Sequence, residues 1–131
     1  MHRSKLGTLV IDCDDIEAGE HFWTGALGTD VRFRREPYVG LRGRFGGLDV
    51  LLQHVPEPKT AKSRIHVDFW TDDLEAEVAR LETLGARRQR YVEEASERWW
   101  ILEDPCGNEF CVFPAHVGDD DFARAAQSWQ A

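Results

Sequence analysis

Cysteine is scarce in this chain, methionine occurs once, and positive charge is outweighed. The three cysteines, Cys13, Cys106 and Cys111, are odd in number and form no CxxC pair. That argues against a disulfide framework and leaves a reducing, cytoplasmic setting as the expectation. Lys and Arg number 16 against 24 Asp and Glu, so the formal net charge is −8. Such a chain lacks the positive field that nucleic acid or an anionic membrane surface attracts, and neither is expected as a partner. No run approaches the roughly 20 apolar residues of a membrane span. The opening MHRSKLGT carries no signal-peptide core. A phosphate-binding Gly loop, a Ser-His-Asp order and a dinucleotide fingerprint are all missing.

What the chain does have is a near-repeat. Residues 6–28, LGTLVIDCDDIEAGEHFWTGALG, run from an apolar stretch through Asp-Asp and a helix-like segment to Leu-Gly. Residues 64–85, RIHVDFWTDDLEAEVARLETLG, run the same way. Asp14-Asp15-Ile16 lines up with Asp72-Asp73-Leu74, a shift of 72 − 14 = 58. The same shift carries Thr8 onto His66 and Gln53 onto Cys111. Two copies of a unit this long read as two modules sharing one core, with matching positions lining a cleft between them. At 131 residues the chain is expected to be one domain.

Local signals fill in each module. Residues 6–12 are short, apolar and β-branched, which predicts a strand. Asp14 or Asp15 caps a helix to about Leu27, with Gly28 just beyond it, although Gly19 and Gly25 weaken its interior. Strands are predicted over 31–35, 39–45 and 48–54, with a tight hairpin at Gly46-Gly47. The second module repeats this with a strand over 64–71, a helix from Asp72 or Asp73 to Gly85, and strands near 87–92, 97–103 and 109–113. Module one is therefore about 6–54, the Pro-containing linker 55–63, and module two about 64–115. A short C-terminal helix is expected over about 119–130. The fold class is α+β: two βαβββ modules forming a curved mixed sheet around a central cleft.

The repeat, the strand IHVDFW leading into DDLEAEVARLETLGA, and the closing EDPCGNEFCVF resemble the glyoxalase/bleomycin-resistance group, the vicinal-oxygen-chelate superfamily, and within it the glyoxalase-like domains. The resemblance spans about residues 6–115. It implies paired modules enclosing a small-molecule pocket. It also implies that chains commonly pair, and the aromatic excess leaves apolar surface to cover, so a homodimer is expected. Many members hold a divalent metal with side chains from the first and last strand of each module. By position those places fall on Thr8, Gln53, His66 and Cys111. Metal-dependent members typically have His or Glu there. Thr and Gln are neutral oxygen donors, and zinc sites normally need three good ligands. The expectation is no catalytic metal and no other cofactor.

Strand alternation turns His66, Asp68 and Trp70 toward the cleft and Ile65, Val67 and Phe69 toward the helix. His66 and Asp68 are candidate polar anchors, or an acid/base pair. Cys111 shares its face with Glu109, and reads more readily as a small buried hydrophobe than as a nucleophile. Either Trp99 or Trp100 faces the cleft, whatever the register. The expected ligand-binding set is thus Thr8, Gln53, His66, Asp68, Trp70, Trp99 or Trp100, Glu109 and Cys111. The expected function is metal-free binding of an aromatic or planar small molecule. The alternative is a lyase, isomerase or dioxygenase working through His66 and Asp68, or through a divalent metal, in the same cleft.

Overall fold

Each half of the chain opens with a strand that an aspartate converts into a helix. In the computed structural model, which describes residues 2–115, β1 (Thr8–Cys13) leads into α1 (Ile16–Leu27), and β5 (Val67–Thr71) leads into α2 (Leu74–Thr83). Asp15 caps α1 by accepting from the Ala18 N–H at 3.1 Å, and Asp73 caps α2 from Ala76 at 3.1 Å. A carboxylate at this place satisfies a helix N–H that has no partner within the helix. Gly28 ends α1 in the left-handed region at φ 64°. The expected C-terminal helix lies outside the described residues.

The remaining strands are β2 (Val31–Arg35), β3 (Tyr38–Leu41) and β4 (Asp49–His54), then β6 (Arg87–Glu94), β7 (Glu97–Glu103) and β8 (Glu109–Pro114). They form two four-stranded sheets with matching orders, β1-β4-β3-β2 and β5-β8-β7-β6. In each, the first and last strands of the module pair in parallel and the others are antiparallel. This is the expected pair of βαβββ modules. β3 is shorter than expected: it stops at Leu41, although the Arg42 N–H still donates to the Asp30 carbonyl next to the Val31–Leu41 pair. Phe45 and Leu48 then pair across Gly46-Gly47, whose φ values of 60° and 80° are those of a primed hairpin turn. β5 begins at Val67, so His66 stands just before the ladder.

Strand register corrects the expected repeat. The shift of 58 holds for the first strand and helix, where Asp15 and Asp73 are the equivalent caps. For the last strand it is 60. Leu9 pairs with Val50 in one module and Val67 with Phe110 in the other, and 67 − 9 = 58 while 110 − 50 = 60. The strand-end closures agree: Val55 N–H donates to Cys13 O, and Ala115 N–H donates to Thr71 O. The residue of module one that matches Cys111 is therefore Leu51, not Gln53.

One core joins the modules. Ile11, Cys13, Phe22, Trp23 and Leu52 from the first half are buried together with Leu74, Val78, Leu81, Phe110 and Val112 from the second. Phe22 and Trp23 of α1 lie against Phe110 at ring separations of 5.5 and 6.0 Å, and Trp23 also meets Phe69 at 6.2 Å. Gly19 and Gly25, which read as weak points of α1, are places where a neighbour approaches too closely for any side chain. A Cβ on Gly19 would stand 2.5 Å from Cys13 Sγ, and one on Gly25 would stand 2.7 Å from a Leu84 methyl.

Asp104 fixes this joint. Its side chain is fully buried and accepts from Trp23 Nε1 at 2.9 Å, from the Cys106 and Asn108 N–H groups at 2.9 and 2.8 Å, and from Asn108 Nδ2 at 2.9 Å. Asp104→Ala would strand several buried donors, each costing about 1–3 kcal/mol. We expect at least about 3 kcal/mol of destabilisation in urea denaturation, and a clearly smaller loss for Asp104→Asn, which keeps one acceptor oxygen. Equal stability of Asp104→Ala and wild type would disprove the anchoring role.

Candidate functional site

Alternation along each sheet separates a core face from an open face. In the second sheet Phe69, Phe110 and Val112 face the core. Asp68 and Cys111 are register partners on the other face, as are Cys111 and Ile101. His66, Trp70, Phe113 and Trp99 follow at two-residue spacing on that same open face. In the first sheet the open face carries Thr8, Val10, Asp12, Leu51 and Gln53, with Tyr38 paired to Gln53.

The chemistry concentrates on the second sheet. His66 Nδ1 lies 3.2 Å from Asp68 Oδ1. His66, Asp68 and Cys111 each offer a ligand atom within 4.8 Å of the others. His66 and Asp68 are exposed, while Cys111 is buried. Burial first, then the nearby Asp68 carboxylate, pushes the Cys111 thiol up to about 11. At neutral pH it is thus a protonated thiol, not a nucleophile. Beside the hard carboxylate, the imidazole is a borderline and the sulfur a soft donor, and this mixed set suits zinc or cobalt better than magnesium or calcium. Three protein ligands with one free position is the pattern of catalytic zinc. The four family positions leave out Asp68, the third donor, because it lies two residues along the strand from His66.

The tryptophans divide by face. Trp99 stacks on Phe113, centroids 5.0 Å apart and planes 20° apart, beside Cys111 on the open face. Trp70 is 52% exposed on that face. Trp100 is removed from the expected set. Its Nε1 donates to Glu75 of α2 at 2.9 Å and the Arg88 guanidinium lies 4.7 Å from its ring, so it is held on the helix side.

Glu109 is committed elsewhere. Its carboxylate accepts from Lys59 Nζ at 2.7 Å and from the Ser63 N–H at 3.1 Å, which pins the linker to the start of β8. A polar cavity of about 460 Å³ borders this point, lined in part by Asp14, Lys59, Lys62 and Cys106.

The cross-module contacts run through the core and the strand ends. Besides the Trp23 ring and its bond to Asp104, Arg80 donates to the Gly25 and Ala26 carbonyls, and Asn108 Nδ2 donates to the Asp12 carbonyl at 3.0 Å. The open faces, with Thr8 and Gln53 on one and His66 and Cys111 on the other, are both turned away from the shared core. Val10, Phe33, Tyr38 and Trp70, four of the most exposed large apolar side chains, lie on these faces.

With this architecture in view, a family model for the glyoxalase-like domain matches residues 8–113, and the chain belongs to that family. No curated protein matches. A glyoxalase/bleomycin resistance protein/dioxygenase from Nocardioides has a TM-score of 0.68 at 19% identity, covering 90% of this chain and 87% of that one. The fosfomycin resistance protein FosX from Mesorhizobium loti has a TM-score of 0.66 at 15% identity, covering 91% and 98%. An antibiotic-binding protein from a Streptomyces species has a TM-score of 0.62 at 18% identity, covering 88% and 99%. At these identities the likeness establishes the fold. Among the described residues no helix is long and apolar enough to cross a membrane.

Burial would raise the Glu109 carboxyl, but the bonds from Lys59 and Ser63 outweigh it and hold the group at about 2, below its usual 4.5. A depressed folded value contributes stability above the unfolded value and loses it as pH falls. Thermal melts should show wild type losing stability between about pH 4.5 and pH 2, with a flatter profile for Glu109→Gln. Parallel profiles would show that the contact contributes nothing.

Proposed function

We propose that the open face of the second module binds a small planar or aromatic molecule. The observation that carries this reading is the coincidence on one face of an exposed Trp70, the stacked Trp99–Phe113 pair and the His66–Asp68–Cys111 group. An aromatic wall with a few convergent polar groups is the usual make-up of a ligand site. Thr8 and Gln53 belong to this reading as polar groups on the matching face of the first module. The fold shared with an antibiotic-binding protein and with fosfomycin resistance proteins agrees with it. A reducing, cytoplasmic setting is part of this proposal, and the free thiols of Cys13, Cys106 and Cys111 are compatible with it.

We further propose that the site is completed by a second copy of the chain. Both open faces point away from the shared core and expose apolar side chains, so a homodimer that sets module one of one chain against module two of another would cover them. Light scattering at micromolar concentration should give twice the 15.0 kDa chain mass. A monomer with full ligand affinity would refute this arrangement.

Ligand binding itself is tested by quenching of tryptophan fluorescence with a panel of planar aromatic compounds. A hit should saturate, and Trp99→Ala or His66→Ala should each weaken it about tenfold, or 1.4 kcal/mol. If Trp100→Ala weakens binding as much as Trp99→Ala does, the assigned face is wrong.

A second reading, a metal-dependent enzyme, is favoured by the three donors within 4.8 Å. In that reading His66, Asp68 and Cys111 hold a divalent ion, which when bound supplies Lewis-acid polarisation of a substrate oxygen. Titration with cobalt(II) discriminates the two. A sulfur-to-cobalt absorption band that disappears in Cys111→Ser and weakens in Asp68→Asn supports the metal site. Its absence, together with chelator-insensitive ligand binding, leaves the first reading standing.

A further inference from the structure

Two of the three cysteines meet away from the open face. Cys13 ends β1 in module one, and Cys106 sits in the turn before β8 in module two. Both sulfurs lie within 4 Å of the point where a Cβ on Gly19 would stand, at 2.5 Å for Cys13 and 3.9 Å for Cys106. The absence of a side chain at Gly19 thus leaves the space the two thiols occupy. Cys106 Sγ is 3.3 Å from the Asp15 carbonyl, so its position is set from across the module joint. Cys13 is fully buried. Cys106 is 8% exposed and lines both the cavity of about 460 Å³ and a neighbouring one of about 230 Å³. The pair therefore has an inner thiol and an outer thiol, and only the outer one has a path from solvent.

We propose that Cys13 and Cys106 are a redox-active dithiol that closes into a disulfide between the two modules when a small hydroperoxide reaches Cys106 through the cavity beside Lys59. The Cys106 sulfur attacks the terminal peroxide oxygen, and the O–O bond breaks. With hydrogen peroxide the products are a Cys106 sulfenic acid and water. The Cys13 sulfur then attacks the Cys106 sulfur. The S–O bond breaks, the S–S bond forms, and the thiol proton leaves with hydroxide as a second water. Two thiols are oxidised by two electrons and one peroxide is reduced to two waters.

The geometry assigns the roles. Cys106 is the peroxide-reacting sulfur because it borders the cavities, and Cys13 is the resolving sulfur because it is enclosed beside it. The Cys106 side chain, followed by burial, holds the Cys13 thiol well above its usual range, while the neighbouring Cys13 side chain lowers Cys106. This division agrees with the geometric one, since the thiolate is the attacking form. Cys111 is outside the pair, on the opposite face of the second sheet. The site is distinct from the proposed ligand face, so failure of either reading leaves the other intact.

The full chain is treated with a slight excess of hydrogen peroxide, denatured, and alkylated, and its peptides are mapped without reduction. The expected result is loss of two of the three alkylatable thiols, a Cys13–Cys106 peptide link, and recovery of all three thiols on reduction. Cys13→Ser should instead accumulate a sulfenic acid at Cys106 that a cyclic 1,3-dione traps. Mapping the wild-type chain suffices should that variant fail to fold. Three free thiols after treatment, a link through Cys111, or a link between chains would overturn the proposal.

Discussion

Four N–H groups converge on the carboxylate of Asp104, and that carboxylate has no exposed surface. Three of these donors shape the turn that carries the chain from β7 to β8. The fourth is the indole of Trp23, which belongs to the other module. One side chain therefore sets the entry of β8 and the seating of α1. β8 positions Cys111, and α1 carries the rings that pack on the reverse side of β5 and β8. A buried carboxylate is costly unless its lone pairs are satisfied. Here they are, and the orientation of the open face follows from how they are.

Much of this fold was legible because its signals are local. The Asp-Asp pairs announced both caps, Gly28 and Gly85 closed both helices, and Gly46-Gly47 produced the hairpin it predicts. What escaped was non-local. Gly19 and Gly25 looked like flaws in α1, yet each is a contact point where a methyl group would collide with a neighbour. Asp104 looked like a turn residue because nothing in EDPCGN indicates that an indole from position 23 will reach it. The constant shift of 58 failed at the last strand because module two has two more residues between its helix N-cap and that strand. Gln53 was thereby matched to Cys111 in place of Leu51.

The candidate site was legible in the same partial way. Alternation placed His66, Asp68 and Trp70 together, and the structure agrees. It could not choose between Trp99 and Trp100, because adjacent residues on a strand always face opposite ways. The choice falls to Glu75 and Arg88, which hold Trp100 on the helix side. Glu109 seemed available from its position, but Lys59 and the Ser63 N–H of the linker occupy it. Linker partners of this kind leave no periodic trace.

The offset between the two modules has a consequence for how the halves divide their work. With Leu51 where the other half has Cys111, and Val10 where it has Asp68, the first open face has hydrocarbon side chains at the places where the second has two of its three donor groups. His66, Asp68 and Cys111 all belong to the second half, so each polypeptide carries this group of three once. The stoichiometry of the site is written into a single module, whether the chain works alone or paired.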